Sequence, residues 1–231
     1  AVGSPCVDDG ESLPLHGTVS HIPCEQFSYD INDESITVNL KLYDAALFSH
    51  KLMLERKYIC GMNDDILIIR DKVTNIGSKQ TPYMILYHCN FGYPLLCEKS
   101  RLEINSTGVA PRDARAEEGI AEWNKILTPQ ADFTEQCYYH TFSEKPRISL
   151  SNPEIKTEMT MTFSDKSLDC FTQWKMMGEY EYVMGLEPGN CLPDGRDVMR
   201  EKGILKFLAP GESAENEIRF EFKKLKKAAV N

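Results

Sequence analysis

Ser35-Ile36-Thr37-Val38-Asn39-Leu40-Lys41-Leu42-Tyr43 alternates polar and apolar side chains along its whole length. Successive side chains of a strand point to opposite faces, so a period of two marks a strand with one buried and one wet face. Reading outward, Lys51-Leu52-Met53-Leu54-Glu55-Arg56-Lys57-Tyr58 is a second strand, closed by the turn Gly61-Met62-Asn63-Asp64-Asp65. Ile66-Leu67-Ile68-Ile69-Arg70-Asp71-Lys72-Val73 is a third, closed by Asn75-Ile76-Gly77-Ser78. Strands at this spacing predict an antiparallel meander. Further strands are expected at 136–140, 156–163, 171–176 and 180–186. A last pair at 204–208 and 216–222 is joined by Ala209-Pro210-Gly211-Glu212. The stretch 101–130, with Pro111, Ala114-Arg115-Ala116-Glu117-Glu118 and Trp123, reads as a long loop with one helical turn. Long loops on β-frameworks often carry function.

The chain of 231 residues suits one large all-β domain and is long enough to bury a sizeable core. Its net charge is −9. The basic cluster Lys223-Lys224-Leu225-Lys226-Lys227 reads as a solvated tail, so a nucleic-acid partner is not expected. No apolar run approaches the ~20 residues of a membrane span, and no signal-peptide pattern opens the chain. The eight cysteines form no CxxC pair and sit mostly in strand-like surroundings, as reduced thiols of a cytoplasmic protein do. No Cys or His pair has zinc-ligand spacing, so no metal is expected. Phosphate loops and the G-x-S-x-G elbow are missing, which leaves nucleotide and serine-hydrolase readings without their motifs. The start at Ala1, in a polar, Gly-rich stretch, reads as the middle of a longer protein.

Two stretches carry chemistry. Tyr87-His88-Cys89-Asn90-Phe91-Gly92-Tyr93-Pro94-Leu95-Leu96 places a His and an Asn at the end of an apolar run. Tyr182-Val183-Met184-Gly185-Leu186-Glu187-Pro188-Gly189 places one carboxylate before a Pro-Gly turn. An imidazole and a carboxylate on rigid strands are what general acid–base chemistry needs. Their separation in sequence leaves open whether they meet. By themselves, a strand-end His is more often structural, and a Glu before Pro-Gly is more often a solvated turn residue. His50 and His140 read as structural.

With Leu13-Pro14-Leu15-His16-Gly17 and Leu208-Ala209-Pro210-Gly211-Glu212, these stretches resemble the aldose 1-epimerase-like (galactose mutarotase-like) superfamily, in a poorly characterised bacterial branch. The resemblance runs from residue 13 to about 222. It implies a large antiparallel β-sandwich with a sugar cleft on the concave face, formed by a single domain, 1–231, that lacks its N-terminal strands. It implies His88 as general acid, Glu187 as general base and His16 as a sugar contact. Glu135 is the candidate for the carboxylate that binds sugar hydroxyls. His21, Asn90 and Gln136 are further candidates for substrate binding, and Trp174 and Tyr93 offer aromatic faces to a sugar. The family's Arg upstream of His-Gly has no counterpart, and Thr18 and His21 stand where this branch often has Arg and Asn, so the sugar is left open. For a phosphosugar, Arg112, Arg115 and Arg196 are candidate partners.

The implied reaction interconverts anomers of an aldose by ring opening and reclosure, with no cofactor. Glu187 removes the anomeric hydroxyl proton while His88 protonates the ring oxygen, which avoids a full charge on the sugar. The expected partner is a small-molecule carbohydrate, with neither nucleic acid nor membrane. Pairing of two copies through an exposed strand edge stays open. The alternative is a non-catalytic carbohydrate-binding or sugar-sensing protein on the same fold.

Overall fold

The structure is a computed structural model that describes residues 3–225. Ala1, and Lys226 and Lys227 of the basic tail, lie outside the described residues. The described residues form two compact units: 3–86, 166–169 and 189–219 make the first, and 87–165, 170–188 and 220–225 the second.

The first unit opens with the hairpin β1 (Cys6–Asp8) and β2 (Glu11–Leu13), followed by a 3-10 turn at Val19–His21. Then come β3 (Gln26–Ile31), β4 (Ser35–Ala45), β5 (Lys51–Gly61), β6 (Ile66–Asn75) and the short β7 (Thr81–Tyr83). The expected meander is present as β4, β5 and β6, and β3, which the sequence reading did not pick out, pairs ahead of β4; all pair in sequence order and antiparallel. The register puts Phe27, Tyr29 and Ile31 opposite Leu40, Val38 and Ile36. Val38 in turn pairs with Tyr58, and Tyr58 with Ile69. Directly paired residues share a face, so the alternation sorts one apolar face from one bearing Lys41, Glu55, Lys57 and Lys72. Arg56 interrupts the apolar face and grips its register partner Asp71 with two hydrogen bonds, Nε to Oδ1 at 2.8 Å and Nη2 to Oδ2 at 2.6 Å. Asn75, fully buried, shapes the following turn: its amide donates to the carbonyls of Lys79 and Leu208 and accepts from Gly77 N–H.

The second unit contains β8 (Asn90–Phe91), β9 (Arg101–Ile104), β10 (Gly108–Pro111), α1 (Ala114–Glu118), β11 (Gln136–Thr141), β12 (Arg147–Asn152), β13 (Thr157–Phe163), β14 (Cys170–Gly178) and β15 (Glu181–Gly189). Five of these form one sheet in the order β10-β11-β14-β15-β8. The chain then returns to the first unit with α2 (Arg196–Glu201), β16 (Lys206–Leu208) and β17 (Ser213–Lys224). Residues 213–219 of β17 count with the first unit and lie beside β6, while residues 220–224 count with the second, in the order β17-β13-β12-β9. Inside the second unit the two sheets meet through rings: Phe163 of β13 stacks on Phe171 of β14 at 5.7 Å, and Phe142 meets both edge-on. The first unit closes a separate apolar cluster of Leu54, Val73, Tyr83 and Leu208.

Two expectations need correction. The stretch 101–130 is not one loop, because it supplies β9 and β10, whose edges are taken up by β12 and β11. What remains, 112–130, covers the core face of the five-stranded sheet. Gln173 donates to Trp123 O (2.9 Å) and Lys175 to Glu122 O (3.0 Å). Asp113 caps α1 through a hydrogen bond from Ala116 N–H. Secondly, Glu187-Pro188-Gly189 is not a turn: β15 runs through Gly189. Pro188 fits there because its carbonyl is the group in use, accepting from Tyr87 N–H at 2.9 Å.

Candidate functional site

Strand parity builds the site. Cys137 of β11 pairs with Trp174 of β14, and Gln136 pairs with Lys175. Trp174 and Cys137 therefore share one face, and Gln136, Lys175, Tyr138, Gln173 and His140 the other. On β8, Asn90 pairs with Gly185 of β15, two residues before Glu187. A side chain at Gly185 would collide with this arrangement. A Cβ there would lie 2.2 Å from Glu187 Oε1 and 3.0 Å from Trp174 Cβ.

The two residues singled out from sequence meet. His88 Nδ1 lies 3.1 Å from Glu187 Oε1. The carboxylate is buried, with 3% of its side chain exposed, whereas His88 is 38% exposed. His88 Nδ1 lies 2.9 Å from Asn90 Oδ1, and a proton on that nitrogen points at the amide oxygen. Glu187 Oε1 is buried, and among the described residues no hydrogen-bond donor is aligned on it. Burial pushes the Glu187 carboxyl up to about 8, helped by the negative charge of Glu135. Trp174 stands edge-on to His88 at 5.5 Å between ring centres.

Glu135 is held from both sides. Arg112 Nη2 donates to its Oε1 at 2.8 Å, and Trp174 Nε1 donates to its Oε2 at 2.5 Å. Arg112 also pairs with Asp113 and donates to Cys137 Sγ at 2.9 Å. The thiol of Cys137 is pushed up to about 12 by burial, so it is no nucleophile here.

Of the residues expected from sequence, His88, Glu187, Asn90, Trp174 and Glu135 come together in the second unit. Gln136 does not join them. Its parity turns it to the core face, where it is buried and donates to Arg115 O at 3.2 Å. His16 and His21 are exposed residues of the first unit, His16 with a positive φ of 60° and His21 in the 3-10 turn. Tyr93 is 84% exposed. Arg196 is engaged in the first unit by Asp8 and Glu11, and Arg115 by Glu118. The two histidines read as structural are built into networks. His140, buried beside Gln173 and Ser106, is pushed down to about 4 by burial. His50 bridges Glu11 and Asp44, which raise its pKa, the Asp44 hydrogen bond foremost.

Sequence reading missed Arg112 as the partner of Glu135. The available signal was its charge beside Pro111 in the long middle stretch, but no pattern tied it to a residue on β11. Among the described residues, no group of three or more His, Cys, Asp or Glu is placed to hold a metal ion. Among them also, no helix is long and apolar enough to cross a membrane.

These sheets, with a carboxylate and an imidazole at one end of β15, form the galactose mutarotase-like β-sandwich. The similarity to solved structures shows the same fold. A putative aldose 1-epimerase from Klebsiella pneumoniae is 23% identical with a TM-score of 0.89, covering 95% of this chain and 60% of that one. A galactose mutarotase-like protein from Lactobacillus casei is 18% identical with a TM-score of 0.66, over 96% of this chain and 83% of that one. Galactose 1-epimerase from Lactobacillus acidophilus is 16% identical with a TM-score of 0.65, over 98% and 77%. The chain thus spans 60% of the length of the Klebsiella protein. The family model described as Domain of unknown function (DUF4432) matches residues 1–222, and the chain belongs to that family. No curated protein matches the sequence.

Proposed function

We propose that this chain is an aldose 1-epimerase-like isomerase of the cytoplasm that interconverts the anomers of a free sugar. The observation that carries the reading is the contact between His88 and Glu187, 3.1 Å apart although 99 positions separate them in sequence. In this reading Glu187, as carboxylate, takes the proton of the anomeric hydroxyl, and His88, as imidazolium, gives one to the ring oxygen. The ring C–O bond breaks as the aldehyde forms. Rotation about the C1–C2 bond and reclosure with the roles reversed yields the other anomer. The sugar leaves with as many protons as it brought, so the pair ends in its starting state.

The elevated pKa of Glu187 suits this. A carboxylate with proton affinity near working pH is a stronger base than an ordinary one, and it surrenders its proton again on reclosure. The unaligned Oε1 is supporting detail: a buried acceptor without a donor is costly, and a sugar hydroxyl would supply the donor. Glu135, fixed by Arg112 and Trp174, keeps a partly exposed carboxylate for further hydroxyls. All eight cysteines are thiols, none in a disulfide, which suits a reducing compartment.

The test is anomer exchange by magnetisation-transfer NMR on a panel of free aldoses, with wild type, His88→Ala and Glu187→Gln. The reading expects acceleration above buffer that falls by ~10²–10⁴-fold in each variant. A folded protein that binds a sugar but leaves its exchange at the buffer rate would instead be a carbohydrate-binding protein on this fold.

A further inference from the structure

The sequence offers Asn90 as a residue that touches sugar. Its geometry gives its amide oxygen another task. Asn90 Oδ1 lies 2.9 Å from His88 Nδ1, with the ring N–H aligned on it. An amide oxygen can only accept, so this contact requires the proton on Nδ1. The placement is set by backbone. Asn90 is locked by its register with Gly185, and His88 stands two residues before it on the same stretch.

We infer that Asn90 is the positioning residue of the candidate acid: its amide oxygen fixes the tautomer and ring orientation of His88, keeping hydrogen on Nδ1 and leaving Nε2 as the nitrogen that exchanges a proton. The catalytic consequence rests on the reading of His88 as the reacting acid. The tautomer itself does not. Glu187 is a poor substitute for this task, even though its Oε1 is 3.1 Å from the same nitrogen. The ring N–H is not aligned on that oxygen, whereas it is aligned on Asn90, and the carboxyl changes its own protonation state during the proposed cycle. Asn90 accepts at every pH. It holds the ring while Glu187 gains and loses its proton, as a reversible acid–base cycle requires. A third group that orients the imidazole is a recurrent device in sites of this kind.

Two readouts test this in the intact chain. The first needs no activity: long-range proton–nitrogen NMR of the His88 ring, in histidine-labelled protein at a pH where the ring is neutral. Wild type should show Nδ1 protonated and Nε2 pyridine-like. Asn90→Ala should move the ring toward the Nε2–H form that free imidazole prefers, changing the tautomer ratio at least ~5-fold. Asn90→Asp, which keeps an acceptor, should restore the wild-type pattern. The second readout is anomer exchange on whichever aldose the wild type accelerates. Asn90→Ala should lower kcat by ~10-fold or more with KM little changed. Asn90→Asp should recover most of that loss and shift the acidic-side pH profile upward through its added negative charge. An unchanged tautomer in Asn90→Ala would overturn the inference, as would a rise in KM with kcat intact, which would return Asn90 to sugar binding. If wild type exchanges no sugar, the functional reading fails, while the tautomer measurement still decides what Asn90 does. Asn90 is exposed, so Asn90→Ala is expected to fold, and its circular dichroism spectrum checks that.

Discussion

Asp8 and Glu187 are carboxylates with equally little exposed surface, 4% and 3%, yet their surroundings treat them in opposite ways. Asp8 is gripped by two arginines. Arg200 Nε reaches Oδ1 at 2.7 Å, and Arg196 Nε reaches Oδ2 at 2.5 Å. The Arg200 hydrogen bond, and after it that of Arg196, hold its pKa below the ordinary aspartate value against the cost of burial. Glu187 faces an imidazole and another carboxylate, and its pKa rises to about 8. Burial alone therefore does not say what a carboxylate is for. Burial and the charge of its neighbours together do: a neutralised acid ties α2 to the first hairpin, while a buried acid beside another carboxylate keeps a proton to exchange.

Removing the acid in each region should expose this difference. Asp8→Ala leaves the buried Arg196 with the carboxylate of Glu11 and the backbone carbonyl of residue 8, and should cost ~3 kcal/mol of stability, near the low end for a broken buried pair because Arg200 is partly exposed. Urea unfolding near pH 7 measures this, and an unchanged midpoint would show that the arginines rearrange freely.

Glu187→Gln should do the reverse. The wild-type carboxyl has a folded pKa of about 8 against an ordinary value of 4.5. Between those values the folded state binds more protons than the unfolded one, so this group's contribution is full below about 4.5 and is lost as pH rises through about 8. Gln carries no such slope. The variant should match wild type at pH 4 and exceed it at pH 9 by up to ~5 kcal/mol, while losing anomer exchange. Asp8 has the opposite sign: its stabilisation is present above the ordinary aspartate range and is lost as pH falls through its lowered folded value. A Glu187→Gln variant with the wild-type pH slope would mean that the carboxylate is solvated in solution.

The smallest effect should come from Glu135→Gln, which removes the second cause of the Glu187 shift and leaves burial in place. The Glu187 midpoint, followed by carbon NMR of its carboxyl, should fall by about one unit or less, and no fall would assign the whole shift to burial.

How much of this could be read from the chain follows from the range of the interactions. The β4–β6 meander was legible because alternation is local, and the Asn75-Gly77 turn was legible from composition. Residue type pointed to Glu135 and Gln136 together, but neighbours on a strand face opposite ways, and only the Cys137–Trp174 register shows which of them looks toward His88. The continuation of β15 through Pro188 was hidden because a Pro-Gly pair looks like a turn until its carbonyl has a partner. The contact of His88 with Glu187 was suggested by resemblance, not by spacing. The clamp of Asp8 by Arg196 had no sequence signal at all, since 188 residues separate the two.

The end strand β3 carries a different kind of consequence. All six of its residues are exposed, and Phe27, Tyr29 and Ile31 each show more than 60% of their surface. A bare strand at the margin of a sheet is a growth front, ready to template another strand from any chain that passes. Association of copies in a concentrated solution is therefore expected to begin at this margin and not at Glu187. A single positive charge at Tyr29 would act as an end-stop there, at a distance in sequence from every residue that handles a proton.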